Sequence, residues 1–210
     1  MLKYAPALAV GMFSIWIRPA HAQNEGYVLT VELTPSICAV STEARRKRKC
    51  LEGYALTIEG LFPIGQSKQA CHTNQPMNLA PVQTRVVARV MPDESARRKL
   101  WTNVGGCVGQ NASQYFRMMT NLAEKLKIPP EFTDTTGMTV QHQALLGELR
   151  KLNPTMPNHA VVMNCQKEPS RGRMLLTHMQ VCYHTNSRYK SCPTGLHSNC
   201  PAQFWLKDGF

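Results

Sequence analysis

Eight cysteines constrain the fold of this 210-residue chain more than any other feature. They are Cys38, Cys50, Cys71, Cys107, Cys165, Cys182, Cys192 and Cys200. An even number of cysteines predicts disulfide bonds if the chain is exported, which its N-terminal segment indicates. Zinc is the alternative, but no Cys-x-x-Cys occurs and the spacings are too loose for a zinc knuckle. We therefore predict a disulfide-stapled domain with no metal site, although eight cysteines allow about 105 pairings.

The N-terminal segment 1–22 has the organisation of a secretory signal peptide. Lys3 supplies a positive start, residues 5–17 form an apolar run, and a small-x-small pattern ends at Ala22. A membrane anchor is the alternative, but a bilayer span needs roughly 20 apolar residues. Here Arg18 ends the run early. We predict cleavage after Ala22 and a periplasmic or secreted location, with no membrane span in the mature protein.

The mature segment 23–210 is long enough for a single domain with a core of its own. Loss of Lys3 and Arg18 lowers the formal charge from +11 to +9. Such a basic exported domain suits a polyanion such as RNA, or an anionic surface, while ordinary solubility is the alternative interpretation. The densest run of charge, Arg45–Lys49, is interpreted as a solvated basic loop, with polyanion contact as its alternative.

Hydrophobic spacing predicts helices in the middle of the chain and strands at both ends. Predicted strands cover residues 27–33, 54–58, 159–165, 174–183 and 203–206, and predicted helices cover 82–91, 111–128 and 138–152. Asn111 or Ser113 is expected to cap the second helix, and Thr139 the third. This distribution predicts an α+β domain with a mostly antiparallel central sheet.

Three short stretches concentrate unusual residues, and in order and spacing they resemble the ribonuclease T2 family, in particular its bacterial periplasmic members. The family's first motif is a strand, Thr-(Ile/Val)-His-Gly-Leu-Trp-Pro. Its second motif lies on a helix, His-Glu-Trp-x-Lys-His-Gly-(Thr/Ala)-Cys, and a Tyr-Phe segment follows. The matching residues are Thr57, Ile58, Gly60, Leu61 and Pro63, then Trp101, Gly105 and Cys107, then Tyr115 and Phe116. The resemblance implies a ribonuclease T2-like α+β fold over nearly the whole mature chain.

The residues that carry the family's chemistry are replaced in this sequence. Glu59 and Val104 stand at the positions of the two catalytic histidines. The other replaced positions hold Lys99 for histidine, Leu100 for glutamate, Asn103 for lysine and Phe62 for tryptophan. The family's reaction drives a ribose 2′-OH onto the adjacent phosphorus and gives a 2′,3′-cyclic phosphate. It requires a base, an acid and a cation near the phosphate, and histidine suits the first two roles.

These replacements leave little of the required chemistry. Val104 transfers no proton, and Glu59 accepts a proton but repels phosphate, so Lys99 is the one retained phosphate contact. His72 is the candidate substitute, because the resemblance implies a Cys71–Cys107 bond that holds it near the second motif. A surface histidine in a polar loop is the alternative interpretation. The remaining histidines stand in no motif: His142, His159, His178, His184 and His197.

The family layout also narrows the disulfide pairings. It implies Cys38–Cys50, Cys71–Cys107 and Cys165–Cys200, which leaves Cys182 with Cys192. We interpret the chain as a catalytically impaired ribonuclease T2-like protein that binds RNA, another polyanion or a protein partner. The alternative is an active or weak endoribonuclease that uses Glu59, Lys99 and His72. An exported toxin or effector is compatible with the compartment but has no residue in its favour. No cofactor is expected.

Overall fold

The fold is taken from a computed structural model that describes residues 25–67, 69–134 and 136–207. The predicted signal peptide, residues 1–22, lies outside these described residues. Six strands form one sheet: β1 (Tyr27–Leu33), β2 (Leu56–Pro63), β3 (Met138–Gln141), β4 (Val161–Lys167), β5 (Met174–Tyr183) and β6 (Gln203–Leu206). The helices are α1 (Thr34–Val40), α2 (Arg48–Leu51), α3 (Pro81–Val90), α4 (Glu94–Val104), α5 (Ala112–Lys125) and α6 (His142–Leu152). This is the predicted α+β class.

The sheet runs in the order β2-β1-β5-β6-β3, with β4 paired to β5. All pairs are antiparallel except β5 with β6, which meet in parallel at Leu175 and Trp205. The prediction of a mostly antiparallel sheet is therefore confirmed. Since β1 lies between β2 and β5, side chains of β2 and β5 on the same face of the sheet lie on either side of β1.

The two faces of β1 are buried in different ways. Tyr27, Leu29, Val31 and Leu33 point into the main core, which α3–α5 cover. The opposite face carries Val28, Thr30 and Glu32 in alternation, as a strand requires. A small cluster from α1 and α2 and a second around the Cys182–Cys192 bond lie outside the main core. The sheet therefore has one apolar face and one face with polar side chains.

The helix α5 begins within one residue of its predicted start and ends at Lys125, three residues before the predicted end at Ile128. The Asn111 side chain accepts a hydrogen bond from the Gln114 amide at 2.9 Å, and the Gln114 side chain accepts one from the Asn111 amide at 3.2 Å. This reciprocal capping box satisfies two of the free amides of the first turn. The apolar stripe that includes Tyr115 and Met119 is buried, and the helix ends at Lys125, before the proline pair.

The prediction of one helix over residues 138–152 is wrong for its first turn. Met138–Gln141 forms β3, which pairs with β6 in a register that places Val140 opposite Phe204. The helix α6 starts only at His142, so Thr139 lies in a strand and caps nothing. A pairing partner more than sixty residues away overrides the local helical spacing, because strand preference depends on neighbours more than on sequence.

Four disulfides fasten the loops and helices to this sheet. They join Cys38 to Cys50, Cys71 to Cys107, Cys165 to Cys200 and Cys182 to Cys192. These are the three pairs that the family layout implies and the fourth pair that it leaves. The second of them joins the segment after β2 to the end of α4, which are the two sides of the site described next.

Candidate functional site

The first motif lies on β2, whose pairing with β1 is interrupted by a β-bulge. Thr30 pairs with Gly60 and Val31 pairs with Ile58, so Glu59 is the extra residue between them. A bulge redirects the side chain of the extra residue and is common beside active sites. Glu59 is accordingly exposed, while Ile58 and Gly60 on either side are buried.

Matching residues of the motifs join β2 to α5 and pack α4 against α5. The buried Tyr115 hydroxyl accepts a hydrogen bond from the Leu61 amide at 3.2 Å and donates one to the Leu61 carbonyl at 2.8 Å. Burial raises the pKa of the Tyr115 phenol, so this hydroxyl stays protonated. Trp101 packs against the Tyr115 ring with 5.9 Å between centroids. Its indole donates to the Gln75 carbonyl at 2.8 Å.

Gly60 allows α4 to pack closely on β2. A Cβ atom at this position would lie 2.6 Å from Leu100 Cδ1 and 2.8 Å from Phe62 Cζ. Such distances are well inside the van der Waals contact of carbon atoms. The glycine therefore fixes how near the second motif comes to the first.

The Cys71–Cys107 bond and two backbone hydrogen bonds join the loop after β2 to the end of α4. The Gly106 amide donates to the Cys71 carbonyl at 2.9 Å, and the Thr73 amide donates to the Thr102 carbonyl at 2.8 Å. The intervening His72 has an exposed side chain. The loop is therefore held by the disulfide and by its backbone, and the side chain of its histidine takes no part in these contacts.

A cleft of about 450 Å³ lies between β2 and α4 and brings the degenerate motif positions together. Its lining residues are Glu59, Phe62, Pro63, Gln66, Ser67, Cys71, Ala96, Lys99, Leu100, Asn103 and Val104. Among the lining residues that the structure describes, Glu59 and Lys99 are the charged ones. Leu100 and Val104 are buried and apolar, so they form a hydrophobic part of the wall. His72 is not among the lining residues.

The polar face of the sheet brings to Glu59 a histidine that the sequence did not single out. His178 on β5 lies with its Nε2 atom 4.0 Å from Glu59 Oε2 and 3.9 Å from Glu32 Oε1. His178 stands in no sequence motif, and its proximity to Glu59 depends on the strand order β2-β1-β5. The alternation of side chains along β5 places His178 on the polar face, and this alternation is the one feature of the sequence that indicates its position.

The basic run Arg45–Lys49 is largely engaged within the fold. Arg45 donates to the Cys38 and Ala39 carbonyls, Lys47 pairs with Glu43, Arg48 with Glu52, and Lys49 with Glu32. Four of its five cations thus have partners inside the protein. Fewer of these cations are therefore available to bind a polyanion than the composition of the run indicates.

The described ranges contain no group of three or more His, Cys, Asp or Glu side chains that could hold a metal ion. Across the same residues, no helix has the length and apolar character that a membrane crossing demands.

Comparison with solved structures identifies the fold. Neither a family model nor a curated protein sequence matches the chain. A variant of ribonuclease MC1 in complex with 5′-UMP superposes with a TM-score of 0.70, at 17% identity, over 88% of this chain and 99% of that chain. Ribonuclease MC1 comes from bitter gourd seeds. The chain has the ribonuclease T2 fold.

Two further structures with the T2 fold cover the chain to a similar extent. The RNase-related protein from Calystegia sepium has a TM-score of 0.68 and 15% identity over 88% of this chain and 97% of that one. The self-incompatibility SF11-RNase from Nicotiana alata has a TM-score of 0.66 and 14% identity, over 84% and 95% respectively. These matches support the resemblance to T2 ribonucleases that the motifs indicate.

Proposed function

We propose that this protein binds RNA in the cleft between β2 and α4 and does not cleave it by the two-histidine mechanism of T2 ribonucleases. The T2 fold supports a function of ribonuclease type at the level of the family. Related structures are complexes with 5′-UMP and 5′-AMP, which is in keeping with a cleft for nucleotides in this fold. The side chains that line the cleft of this chain do not suit the cleavage step of that mechanism.

The observation that carries the proposal is the combination of Glu59 and Val104 in the cleft. General acid–base catalysis contributes about 10²–10⁴-fold for each positioned group. Val104 is buried and holds no proton, so one of the two groups has no replacement at its own position. Glu59 brings negative charge to the place where the phosphate charge grows during the reaction, which opposes the transition state.

In this proposal Lys99 supplies the positive charge that attracts phosphate groups to the cleft. It is exposed on α4 and lines the cleft. The four disulfides and the predicted signal peptide at 1–22 agree with an oxidising, exported location, periplasmic or secreted, for a protein that meets RNA outside the cytosol.

A weak endoribonuclease is the second candidate, and the contact between Glu59 and His178 favours it. With 4.0 Å between the carboxylate and the imidazole, the pair contains a base and a group able to carry a proton. His178 lies outside the lining of the cleft, however, and its side chain is only 20% exposed. Direct access of a ribose or a leaving oxygen to His178 is therefore restricted.

One experiment separates the two candidates. Purified mature protein is incubated with RNA in EDTA, and 2′,3′-cyclic phosphate ends are quantified for the wild type and for the Glu59→Gln, His72→Gln and His178→Gln variants. We expect no product above the buffer background from any of the four proteins. Cleavage by the wild type that Glu59→Gln or His178→Gln abolishes would instead establish the endoribonuclease.

Binding is tested by titrating an RNA oligomer at several salt concentrations. Affinity should fall as salt rises, since phosphate contacts release counterions. Lys99→Ala should weaken binding and reduce the salt slope by about one. Lys127→Ala is the matched control, because Lys127 is exposed and does not line the cleft. Equal losses in both variants, or no binding at low salt, would contradict the proposal.

A further inference from the structure

Two further depressions of the surface continue from the cleft, starting at the end of α4. Asn103 and Val104 line the cleft, and the next two residues, Gly105 and Gly106, line a depression of about 600 Å³, which we call the polar depression. Gln114 on α5 lines both the polar depression and a third one of about 350 Å³, which we call the α5 groove. The three together form a path from the cleft, past the end of α4, and along α5.

The polar depression is lined by uncharged groups. It includes the exposed amide side chains of Gln75, Asn78 and Gln110, which make no hydrogen bond with another residue in the described ranges. Side-chain amides both donate and accept hydrogen bonds, so these groups are free to contact riboses and bases. The lining that the structure describes here contains no carboxylate that would repel a phosphate.

The α5 groove has two cations on one face of the helix. Arg117 and Lys125 both line it, and both are exposed. Together with Gln114 and Asn121 they follow the spacing i, i+3, i+7 and i+11, which places side chains along a single stripe of a helix. Eight residues separate the two cations by about 12 Å along the helix axis. They are therefore placed to contact one strand at the phosphates of different nucleotides.

Both cations of the α5 groove are available to a ligand. In the part of the chain that the structure describes, neither side chain forms an ion pair or a hydrogen bond. The acidic residue of α5, Glu124, lines a different depression, beside α3. The basic run 45–49, by contrast, is largely paired within the fold. Positive charge that is free to bind a polyanion is therefore found on α5, although the sequence concentrates its cations elsewhere.

The rest of the α5 groove is apolar or uncharged. Met118 and Leu122 lie between the two cations along the helix, and Leu122 is buried. Ser187 completes the lining from the turn 184–188, in which the His184 amide donates to the Arg188 carbonyl at 2.8 Å. Proteins that bind single strands without sequence preference use a positively charged groove that follows the backbone. The apolar floor of this groove offers riboses and bases a surface for contact.

From this geometry we propose that an RNA strand bound in the cleft continues past the end of α4 and along α5. There Arg117 and Lys125 contact the phosphates of nucleotides that lie outside the cleft. The inference rests on the proposed RNA-binding function and extends the same site. The protein therefore prefers single strands that are longer than the cleft can hold, whatever the sequence of their outer nucleotides.

The test compares a trimer and a dodecamer of 2′-O-methyl uridylate with hydroxyl ends, neither of which has a 2′-hydroxyl for self-cleavage. The wild type should bind the dodecamer more tightly. The double variant Arg117→Gln with Lys125→Gln should bind the trimer as the wild type does. For the dodecamer its affinity should fall about 25-fold at about 0.1 M salt and its salt slope by about 1.4, which is the counterion release for two contacts to a single strand.

The double variant Arg85→Gln with Arg89→Gln is the matched control. Both arginines are exposed and one turn apart on α3, and neither has an ion pair in the described part of the chain. They line neither the cleft, nor the polar depression, nor the α5 groove. This control should therefore lose much less affinity for the dodecamer than the α5 variant.

Three results would overturn the proposed path along α5 but leave the RNA-binding function intact. They are equal losses in the two double variants, equal losses for trimer and dodecamer in the α5 variant, and equal affinity of the wild type for the two oligomers. Absence of binding of either oligomer at low salt would overturn the RNA-binding function itself, and the path with it.

A crosslinking measurement on the wild-type protein covers the case in which the α5 variant does not fold. Dodecamers that carry a photoreactive thiouridine at one end or the other are bound and irradiated, and the crosslinked peptides are identified by mass spectrometry. One of the two ends should crosslink within residues 114–125. Crosslinks from both ends that lie outside this segment would overturn the proposal.

Discussion

The residues that differ from the T2 motifs line the cleft, while the residues that match the motifs, apart from Pro63, lie outside its lining, and the two groups have different physical roles. Gly60, Leu61 and Trp101 are buried and take part in close packing or in hydrogen bonds with backbone groups. Glu59 and Lys99, by contrast, are exposed and make no contribution to the core. The first group determines whether the cleft exists, and the second determines what the cleft does.

The contrast explains how a T2 fold can persist without the histidines of the family. The hydrogen bonds of Tyr115 use backbone groups of Leu61, and the packing at Gly60 depends on shape, because the apolar side chains at the replaced positions 62 and 100 fill the space against the glycine. A leucine at position 100 and a valine at position 104 even add apolar contacts to the core. We therefore expect substitutions of the matching residues to lower mainly the stability of the protein. Substitutions of the exposed replaced residues should change mainly its affinity for RNA.

Removal of the disulfide between the two sides of the cleft should have the largest effect. Loss of a native disulfide costs about 2–5 kcal/mol. Cys71→Ala with Cys107→Ala opens a loop with a sequence separation of 36, and should lower both the free energy of unfolding in urea and the RNA affinity. The double variant of Cys182 and Cys192 is the control, with a separation of 10. It should destabilise less and leave affinity unchanged; the reverse order would contradict this assignment.

A methyl group at Gly60 should have the next largest effect. Gly60→Ala forces Leu100 or Phe62 to move, and overpacking of this kind costs about 1–3 kcal/mol. Gly147→Ala is the control, since a Cβ there meets no heavy atom within 4 Å and the residue lies inside α6. It should raise stability by roughly 0.5–1 kcal/mol. Equal thermal unfolding midpoints of the two variants would refute close packing at Gly60.

Loss of the Tyr115 hydroxyl should have a moderate effect. Tyr115→Phe leaves the Leu61 amide and carbonyl without this partner, and an unsatisfied buried polar group costs about 1–3 kcal/mol. The free energy of unfolding should fall, and hydrogen exchange should become faster at the Leu61 amide. Unchanged exchange at Leu61 would show that the hydroxyl does not hold β2 in place.

The sequence predicted those parts of the fold that depend on neighbouring residues. The stripe and the cap of α5 lie within one segment, so local spacing predicts the stripe and limits the cap to Asn111 or Ser113, of which Asn111 is the cap in the structure. The strand β3 was missed because its partner β6 is distant in sequence, and the pairing overrides the helical spacing of Met138–Gln141. The matched motif residues located the cleft through a resemblance of order and spacing.

The proximity of His178 to Glu59 could not be predicted in the same way. His178 approaches Glu59 only because β1 lies between β2 and β5 and because a bulge redirects the Glu59 side chain. His72 was the candidate because it follows Cys71, but its side chain is exposed and outside the lining of the cleft. The Cys71–Cys107 bond brings the backbone of residue 72 near α4. It does not determine where the His72 side chain lies, because that depends on the conformation of the loop.

The smallest change in stability should accompany one of the clearest changes in binding. Glu59→Gln preserves the size of the side chain at an exposed position of the bulge, and surface substitutions usually alter stability by less than about 0.5 kcal/mol. Removal of its negative charge should increase the affinity for RNA at neutral pH, because Lys99 then faces phosphate without an opposing carboxylate in the same cleft. Urea denaturation and an oligonucleotide titration on one preparation measure both quantities. A variant that loses stability without gaining affinity would show that Glu59 stabilises the fold and does not control binding. The distinction between residues that stabilise the cleft and residues that determine its binding would then be wrong for Glu59.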